Sequence, residues 1–322
     1  MGSGLRVFRG VAEAVGVMGP SAVSIGNFDG VHRGHQELFR RLVAHARRLG
    51  LKASVITFDP HPTKIVAPHR APRLLSGLGR RLEWIAEAGI EQALVIPFDE
   101  EFSQLPPEEF VRWVLVEGAG ARLVMVGENF RFGNRQAGDT EQLAELGARW
   151  GFETEIVQAV EYRRRMVSST AVRGLLDTGE VSWAGRMLSR WYTLEGEVVA
   201  GHGIGSKQTV PTLNLKTAAE VLPARGVYVT STVDAQDGRQ WPSVTNIGMR
   251  PTFGGDSLTV ETYLLRPLEG ATPSRIGVSF LRRLREERKF ADAGALKAQI
   301  LRDVSKAEAY FRRRARWRRA KV

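Results

Sequence analysis

The chain has 322 residues, 43% hydrophobic and 25% charged, a balance that belongs to globular rather than disordered proteins. It has no cysteine, which excludes disulfides and thiolate metal sites and accords with a reducing compartment. Basic residues (46 Lys and Arg) outnumber acidic ones (35), for a net charge of +11. No apolar run is long enough to span a bilayer, and Glu13, Gly16 and Gly19 interrupt any signal-peptide core, so a cytoplasmic protein is expected.

The first half alternates strand-like with helix-like segments. The run "SAVSIG" (21–26) reads as a strand, and "QELFRRLVAHARRLG" (36–50) as a helix with Leu38, Leu42, Ala46 and Leu49 at helical spacing, ending at Gly50. "KASVITF", "QALVIPF", "ARLVMVG" and "FETEIVQAV" follow as strands, separated by helices in "GRRLEWIAEAG", "PPEEFVRWVLVEG" and "DTEQLAELGARWG". Such alternation predicts a parallel sheet covered on both faces, with ligands at the carboxyl ends of its strands. Three turns fall at such ends: "GNFDGVHRGH", "FDPHP" and "GENFRFG".

The turn "GNFDGVHRGH" places His32 and His35 three residues apart at the start of a helix, among Gly26, Gly30 and Gly34. At i and i+3 the two imidazoles share a helix face. The helix start adds backbone N–H donors and a positive dipole end. Together these suit a triphosphate whose charge shifts during reaction, without any covalent enzyme intermediate. Later, "VSSTAVRGLL" (167–176) brings the hydroxyls of Ser168, Ser169 and Thr170 to a helix start, with Arg173 one turn on. Alone, such a stretch is more often just a helix cap.

After two short helical segments the pattern changes near residue 190 to successive strands: "YTLEGEVVAG", "VPTLNLK", "GVYVTSTVD", "WPSVTNIG", "LTVETYLLR" and "IGVSFLRRL". These predict a small β-barrel, closed by one long helix over 291–317. The expected domains are 1–188, α/β, and 189–322, barrel plus helix. "GHGIGSKQTVPTLNL" (201–215) is neither a P-loop nor a dinucleotide fingerprint, since neither glycine spacing occurs. The arginine-rich end, "YFRRRARWRRAKV", suits a solvated helix face; nucleic-acid binding is the less economical reading.

The turn "GNFDGVHRGH" resembles the HxGH signature of the nucleotidyltransferase superfamily, and "VSSTAVRGLL" its second phosphate motif. "FDPHP" and "GENFRFG" are similar to flavin-site motifs of bacterial FAD synthetases. "PTLN", "NIGMRPTF" and "VETYLL" are similar to riboflavin kinase motifs. In order and over nearly the whole chain, the sequence resembles the bifunctional prokaryotic riboflavin kinase/FMN adenylyltransferase family.

The resemblance implies a Rossmann-like nucleotidyltransferase domain and a riboflavin kinase barrel. Its substrates and products would be ATP, riboflavin, FMN and FAD, and its metal Mg²⁺. In the first domain it implies catalytic roles for His32, His35 and Arg173, and nucleotide binding by Gly26, Asn27, Phe28, Asp29, Gly30, His61, Ser168, Ser169 and Thr170. Flavin contacts would come from Asp59, Asn129, Phe130, Arg131, Phe132 and Asp139, although core packing is the usual fate of such phenylalanines. In the second domain it implies a glycine-rich flap (Gly201, Gly205, Lys207), Mg²⁺ on Thr212 and Asn214, flavin contact by Arg250, and Glu261 as general base. The chain departs from the family at Gln208-Thr209-Val210, Tyr263, Arg266 and Ala271 to Pro273. Alternatives are an active first domain with a flavin-binding barrel, an adenylyltransferase for another mononucleotide acceptor, or a nucleic-acid-binding protein using the arginine tail. Oligomeric state is not readable from these features.

Overall fold

Alternating apolar runs and amphipathic segments satisfy their backbone groups and cover their apolar faces in a parallel sheet with helices on each side. The first of two compact units, Met1–Ser169, takes that form. The computed structural model describes residues 4–199, 212–252 and 255–319. The unit's strands are β1 (Arg6–Arg9), β2 (Ser21–Ile25), β3 (Lys52–Asp59), β4 (Gln92–Pro97), β5 (Ala121–Gly127) and β6 (Glu153–Val157). All are parallel, in the order β1-β4-β3-β2-β5-β6.

Successive strand residues point to opposite faces, so each strand feeds two cores. Ala22, Val55, Ala93 and Leu123 face helices Arg33–Leu49 and Leu78–Glu87, through Leu38, Phe39, Leu42 and Ile85. Their neighbours Val23, Ile56, Leu94 and Val124 face Val11, Phe110, Leu115, Leu143 and Leu146 on the other side. From β2 the chain steps through β3 to β4, then crosses back to place β5 on the far side of β2. The order therefore reverses between β2 and β5, and the predicted histidine turn leaves the sheet at that point.

Three features lie outside the sequence reading. β1 is a short edge strand leading to helix Val11–Ala14. A small hairpin pairs β7 (Glu161–Tyr162) with β8 (Arg165–Met166). The segment expected to be one α-helix from Pro106 is α-helical over Pro107–Phe110 and widens to π-helical turns over Val111–Gly118, where the Ala119 amide donates to the Val114 carbonyl at 3.0 Å. Gly118 ends it against Val11, whose Cγ1 lies 2.8 Å from where a Cβ would stand.

The second unit, Thr170–Val322, is the expected antiparallel barrel with a closing helix. Strands β9 (Tyr192–Val199), β10 (Thr212–Thr217), β11 (Gly226–Asp234), β12 (Gln240–Thr252), β13 (Gly255–Leu264) and β14 (Arg275–Glu286) close in the order β10-β13-β12-β11-β14-β9. Helices Ser169–Asp177 and Val181–Leu188 fold largely with this unit. The Ser182 hydroxyl donates to the Leu281 carbonyl at 2.6 Å, and the Ala224 amide donates to the Leu176 carbonyl at 2.9 Å. Tyr228, Thr230, Thr245, Thr262, Leu213 and Phe280 are buried, and hydroxyl contacts of 2.8–3.0 Å link Ser243, Thr230, Thr245 and Thr262. Strand residues of the opposite parity, Val227, Val229 and Val244, cluster with Ala307 of helix Ala293–Arg319.

Candidate active sites

The loop after β2 is held in a conformation that L-residues avoid. Phe28 has φ 49° and Val31 φ 36°, both left-handed, with Gly30 at φ 75° between them. Such geometry persists only where surrounding contacts over-determine it. Phe28 is buried edge-on against His35 (centroids 5.2 Å) and Phe39 (4.9 Å), and its ring fills the space over Gly26, 2.9 Å from where a Cβ would lie. The buried Asp29 carboxylate accepts from the Leu75 amide (3.0 Å) and the Ser76 amide (3.1 Å), while the Ser76 hydroxyl receives the Gly30 N–H at 3.1 Å. Asp29 thus anchors the loop. An Asp29→Ala variant leaves the Leu75 and Ser76 amides unpaired, each at a cost of roughly 1–3 kcal/mol, and a lower urea midpoint is the expected result.

His32 is the N-cap of helix Arg33–Leu49: its Nδ1 accepts from the His35 amide at 3.4 Å. The two imidazoles stack with centroids 3.6 Å apart and planes 19° from parallel. Gly34 makes room for this, because a Cβ there would meet His32 Cε1 at 3.1 Å. His32 is buried and His35 half-buried. The Ser169 hydroxyl donates to the Asp29 carbonyl at 2.8 Å, so the second phosphate motif begins on the histidine loop. The helix it opens is Ser169–Asp177, which puts Ser168 at the N-cap position, Thr170 exposed in the first turn and Arg173 half-buried one turn further.

At the end of β3, exposed Asp59 precedes His61, which caps helix Pro62–Val66 by accepting the Thr63 amide on Nδ1 at 3.3 Å. Beyond β5, the two phenylalanines of "FRFG" stack at 5.6 Å but have different fates. Phe132 is buried against Phe110 and over Gly138, whereas Phe130 stays half-exposed and Asn129 exposed. Asp139 is the N-cap of helix Thr140–Trp150, accepting from Gln142 N at 3.0 Å, and it pairs with Arg131 at 3.1 Å. The Gln142 amide, with Arg131 beside it, holds its carboxyl below the usual range. Sequence reasoning missed Arg81, a buried guanidinium beneath both the β2 and β3 loops.

In the barrel, strand register assembles the second site. Asn214 of β10 pairs with Glu261 of β13, which pairs with Asn246 of β12, which pairs with Val227 of β11. Thr212, Tyr263 and Val244 form the next row on the same face. Thr212, Asn246, Glu261 and Tyr263 line a cleft of about 340 Å³ together with Leu296 and Ile300 of helix Ala293–Arg319. Arg285 braces the cleft wall: its Nε donates to the buried Asp303 at 2.8 Å, and Gln299 donates to the same carboxylate at 2.8 Å. Asn246 is a further polar group that sequence reasoning quoted without a role. Burial raises the Tyr263 phenol above its ordinary pKa, with Glu308 adding to the shift. Among the described residues no group of three or more His, Asp or Glu could hold a metal ion. Thr212 and Asn214 offer hard oxygen donors on one strand face. Gly201, Gly205, Lys207 and the side chain of Arg250 lie outside the described residues.

A histidine pair at the switch point of a parallel sheet, followed in the chain by a barrel whose amphipathic cleft carries Glu261 among polar strand neighbours, defines a two-site transferase of nucleotide substrates. Comparison with known proteins makes this specific. The FAD synthetase family matches residues 17–171 and the riboflavin kinase family residues 188–311. A bifunctional riboflavin kinase/FMN adenylyltransferase from Pseudomonas fluorescens is 38% identical over 89% of this chain and 91% of its own length. The protein of that name from Escherichia coli K12 is 34% identical over 90% and 92%. A crystal structure described as a macrolide-efflux protein from Streptococcus pneumoniae superposes with TM-score 0.83 at 26% identity, covering 94% of this chain and 99% of that one. The chain belongs to the bifunctional riboflavin kinase/FMN adenylyltransferase family. No helix among the described residues is long and apolar enough to cross a membrane.

Proposed function

We propose that this chain phosphorylates riboflavin to FMN at the barrel and adenylylates FMN to FAD at the parallel sheet, using a separate ATP for each step. The observation that carries the reading is that one chain holds both the stacked His32–His35 pair and the Glu261 row of the barrel cleft. ATP, riboflavin, FMN and FAD are its substrates and products, and a cytoplasmic location is part of the reading. The functional boundary falls at residues 188 and 189, so that Ser168, Ser169, Thr170 and Arg173 serve the adenylyltransferase.

In the first step the ribityl 5′-hydroxyl oxygen attacks the γ-phosphorus of ATP, its proton passes to Glu261, and ADP leaves. Asn214 and Asn246 flank that carboxylate across the strands. The cleft is of a size and mixed character suited to a flavin. Thr212 and Asn214 would hold Mg²⁺, a hard cation whose remaining ligands would come from phosphate and water. When bound, the ion neutralises charge on the transferring phosphates.

In the second step an FMN phosphate oxygen attacks the α-phosphorus of a second ATP, the bond to the β-phosphate oxygen breaks, and pyrophosphate leaves with the electron pair. His32 and His35 donate to the triphosphate as its charge moves outward, with Ser169, Thr170 and Arg173 adding donors. Phe130 contacts the isoalloxazine ring, while Asn129 and Asp59 face its polar edge.

The test is a time course with purified protein, riboflavin, ATP and Mg²⁺, resolved by flavin chromatography. FMN appearing first and FAD following is the expected result. FAD from added FMN, with nothing from riboflavin, would reduce the barrel to a binding module. No flavin product from either substrate would overturn the proposal.

A further inference from the structure

Arg81 is only 2% exposed, a rare situation for arginine, and it is committed to backbone carbonyls rather than to solvent. It rises from helix Leu78–Glu87, and its two terminal nitrogens reach the ends of two different strands. Nη1 donates to the Asn27 carbonyl at 2.7 Å, and Nη2 to the Phe58 carbonyl at 3.1 Å. Asn27 follows β2 in the histidine loop; Phe58 is the last residue but one of β3, next to Asp59 and three before His61. The planar fork therefore spans the carboxyl ends of two adjacent strands and fixes their loops relative to each other. Its Nε is buried with no acceptor, so the contacts are kept at some cost. Burial pushes the guanidinium pKa down, and the nearby Asp29 and Asp59 carboxylates oppose that shift.

The residues just before this helix hold the same loop. Leu75 and Ser76 donate to the Asp29 carboxylate, and Ser76 receives the Gly30 amide. Asn27, Asp29 and Gly30 are thus gripped on either side of Phe28, by one short segment of chain. Those contacts oppose relaxation of the left-handed Phe28 and Val31, which lie in the turn that leads to His32.

We infer that Arg81 is a positioning residue for adenylyl transfer, setting the placement of the His32–His35 pair relative to the Asp59–His61 turn while touching no reacting atom. The inference rests on the adenylyltransferase reading above. A misplacement of about 1 Å at a reacting centre is enough to cost about 100-fold in rate.

The experiment uses the full-length chain with Arg81→Ala and Arg81→Lys, measuring FAD formation from FMN and FMN formation from riboflavin in the same preparations. Arg81→Ala is expected to lower kcat for FAD formation about 100-fold, with smaller changes in KM. Riboflavin phosphorylation by the same polypeptide is expected to stay within about twofold of the parent. Added guanidinium ion should restore part of the lost kcat, a response that a purely structural defect would not give. Arg81→Lys keeps a buried cation but loses the fork, so it covers the case in which the alanine variant does not fold; its kcat is expected to fall between the other two. Wild-type kcat in Arg81→Lys, or a fall in thermal midpoint with kcat unchanged, would overturn the inference. A parent protein that makes FMN but no FAD would instead overturn the adenylyltransferase reading itself.

Discussion

Replacing His32 by alanine is expected to lower FAD formation from FMN by about 100- to 1,000-fold, while riboflavin phosphorylation by the same chain continues. The expectation comes from the hydrogen bond His32 already makes. Its Nδ1 accepts the His35 amide, so in the neutral ring the proton resides on Nε2, and that atom is the donor. The ring is held by stacking on His35 at 3.6 Å and by the backbone that Gly34 allows to pass beneath it. A donor fixed in advance costs little reorganisation when charge develops on the leaving pyrophosphate, and removing such donors has large effects. Loss of the cap costs a further 0.5–2 kcal/mol or so of stability. The kinase activity of the second unit reports whether the preparation is intact. His32→Gln, which keeps a donor with different geometry, should retain more activity than alanine. Unchanged FAD formation in His32→Ala would remove the histidine pair from the mechanism, and loss of both activities would defeat the two-site assignment.

The motif residues were legible in sequence; the residues that hold them were not. The histidine turn, the strand ends and the barrel strands announce themselves through glycine, apolar periodicity and turn chemistry, which are local signals. Strand "GVYVTSTVD" even has its full extent, Gly226–Asp234. Arg81 gives no such signal, because on a helix a single arginine reads as a solvated charge, and only the fold brings it beneath Asn27 and Phe58. Asn246 was likewise hidden: its proximity to Glu261 depends on the register between β12 and β13, which alternation alone does not fix. The aromatic pair of "FRFG" shows the limit of composition. Phe132 fills the gap over Gly138 while Phe130 keeps its exposure, a difference set by which side of a tight loop each residue faces. Asp139 is engaged as a helix cap and with Arg131, so any flavin contact by its carboxylate would compete with two existing partners.

Glu261→Ala is expected to reduce FMN formation by about 100- to 10,000-fold and to leave FAD formation from supplied FMN near the parent rate. Glu261 is half-buried on β13 between Asn214 and Asn246, with Thr212 and Tyr263 one row away. Tyr263 cannot replace it as the base in its ionised form, since burial holds the phenol above its already high ordinary pKa and the protonated form prevails near neutrality. Two variants separate the roles of the carboxylate. Glu261→Gln keeps the shape and one acceptor oxygen, so it can orient the ribityl hydroxyl but cannot take its proton at neutral pH. Glu261→Ala removes both functions. In phosphoryl transfer with a loose transition state, proton removal runs late and orientation carries much of the effect. The glutamine variant should therefore sit between the parent and the alanine variant in kcat, with KM for riboflavin closer to the parent. Equal loss in both variants would assign the effect to proton transfer alone. Parent-level phosphorylation in both would mean that the row Asn214–Glu261–Asn246 only shapes the cleft, and the base would have to be sought among Glu287 and Asp303, the other carboxylates that line it.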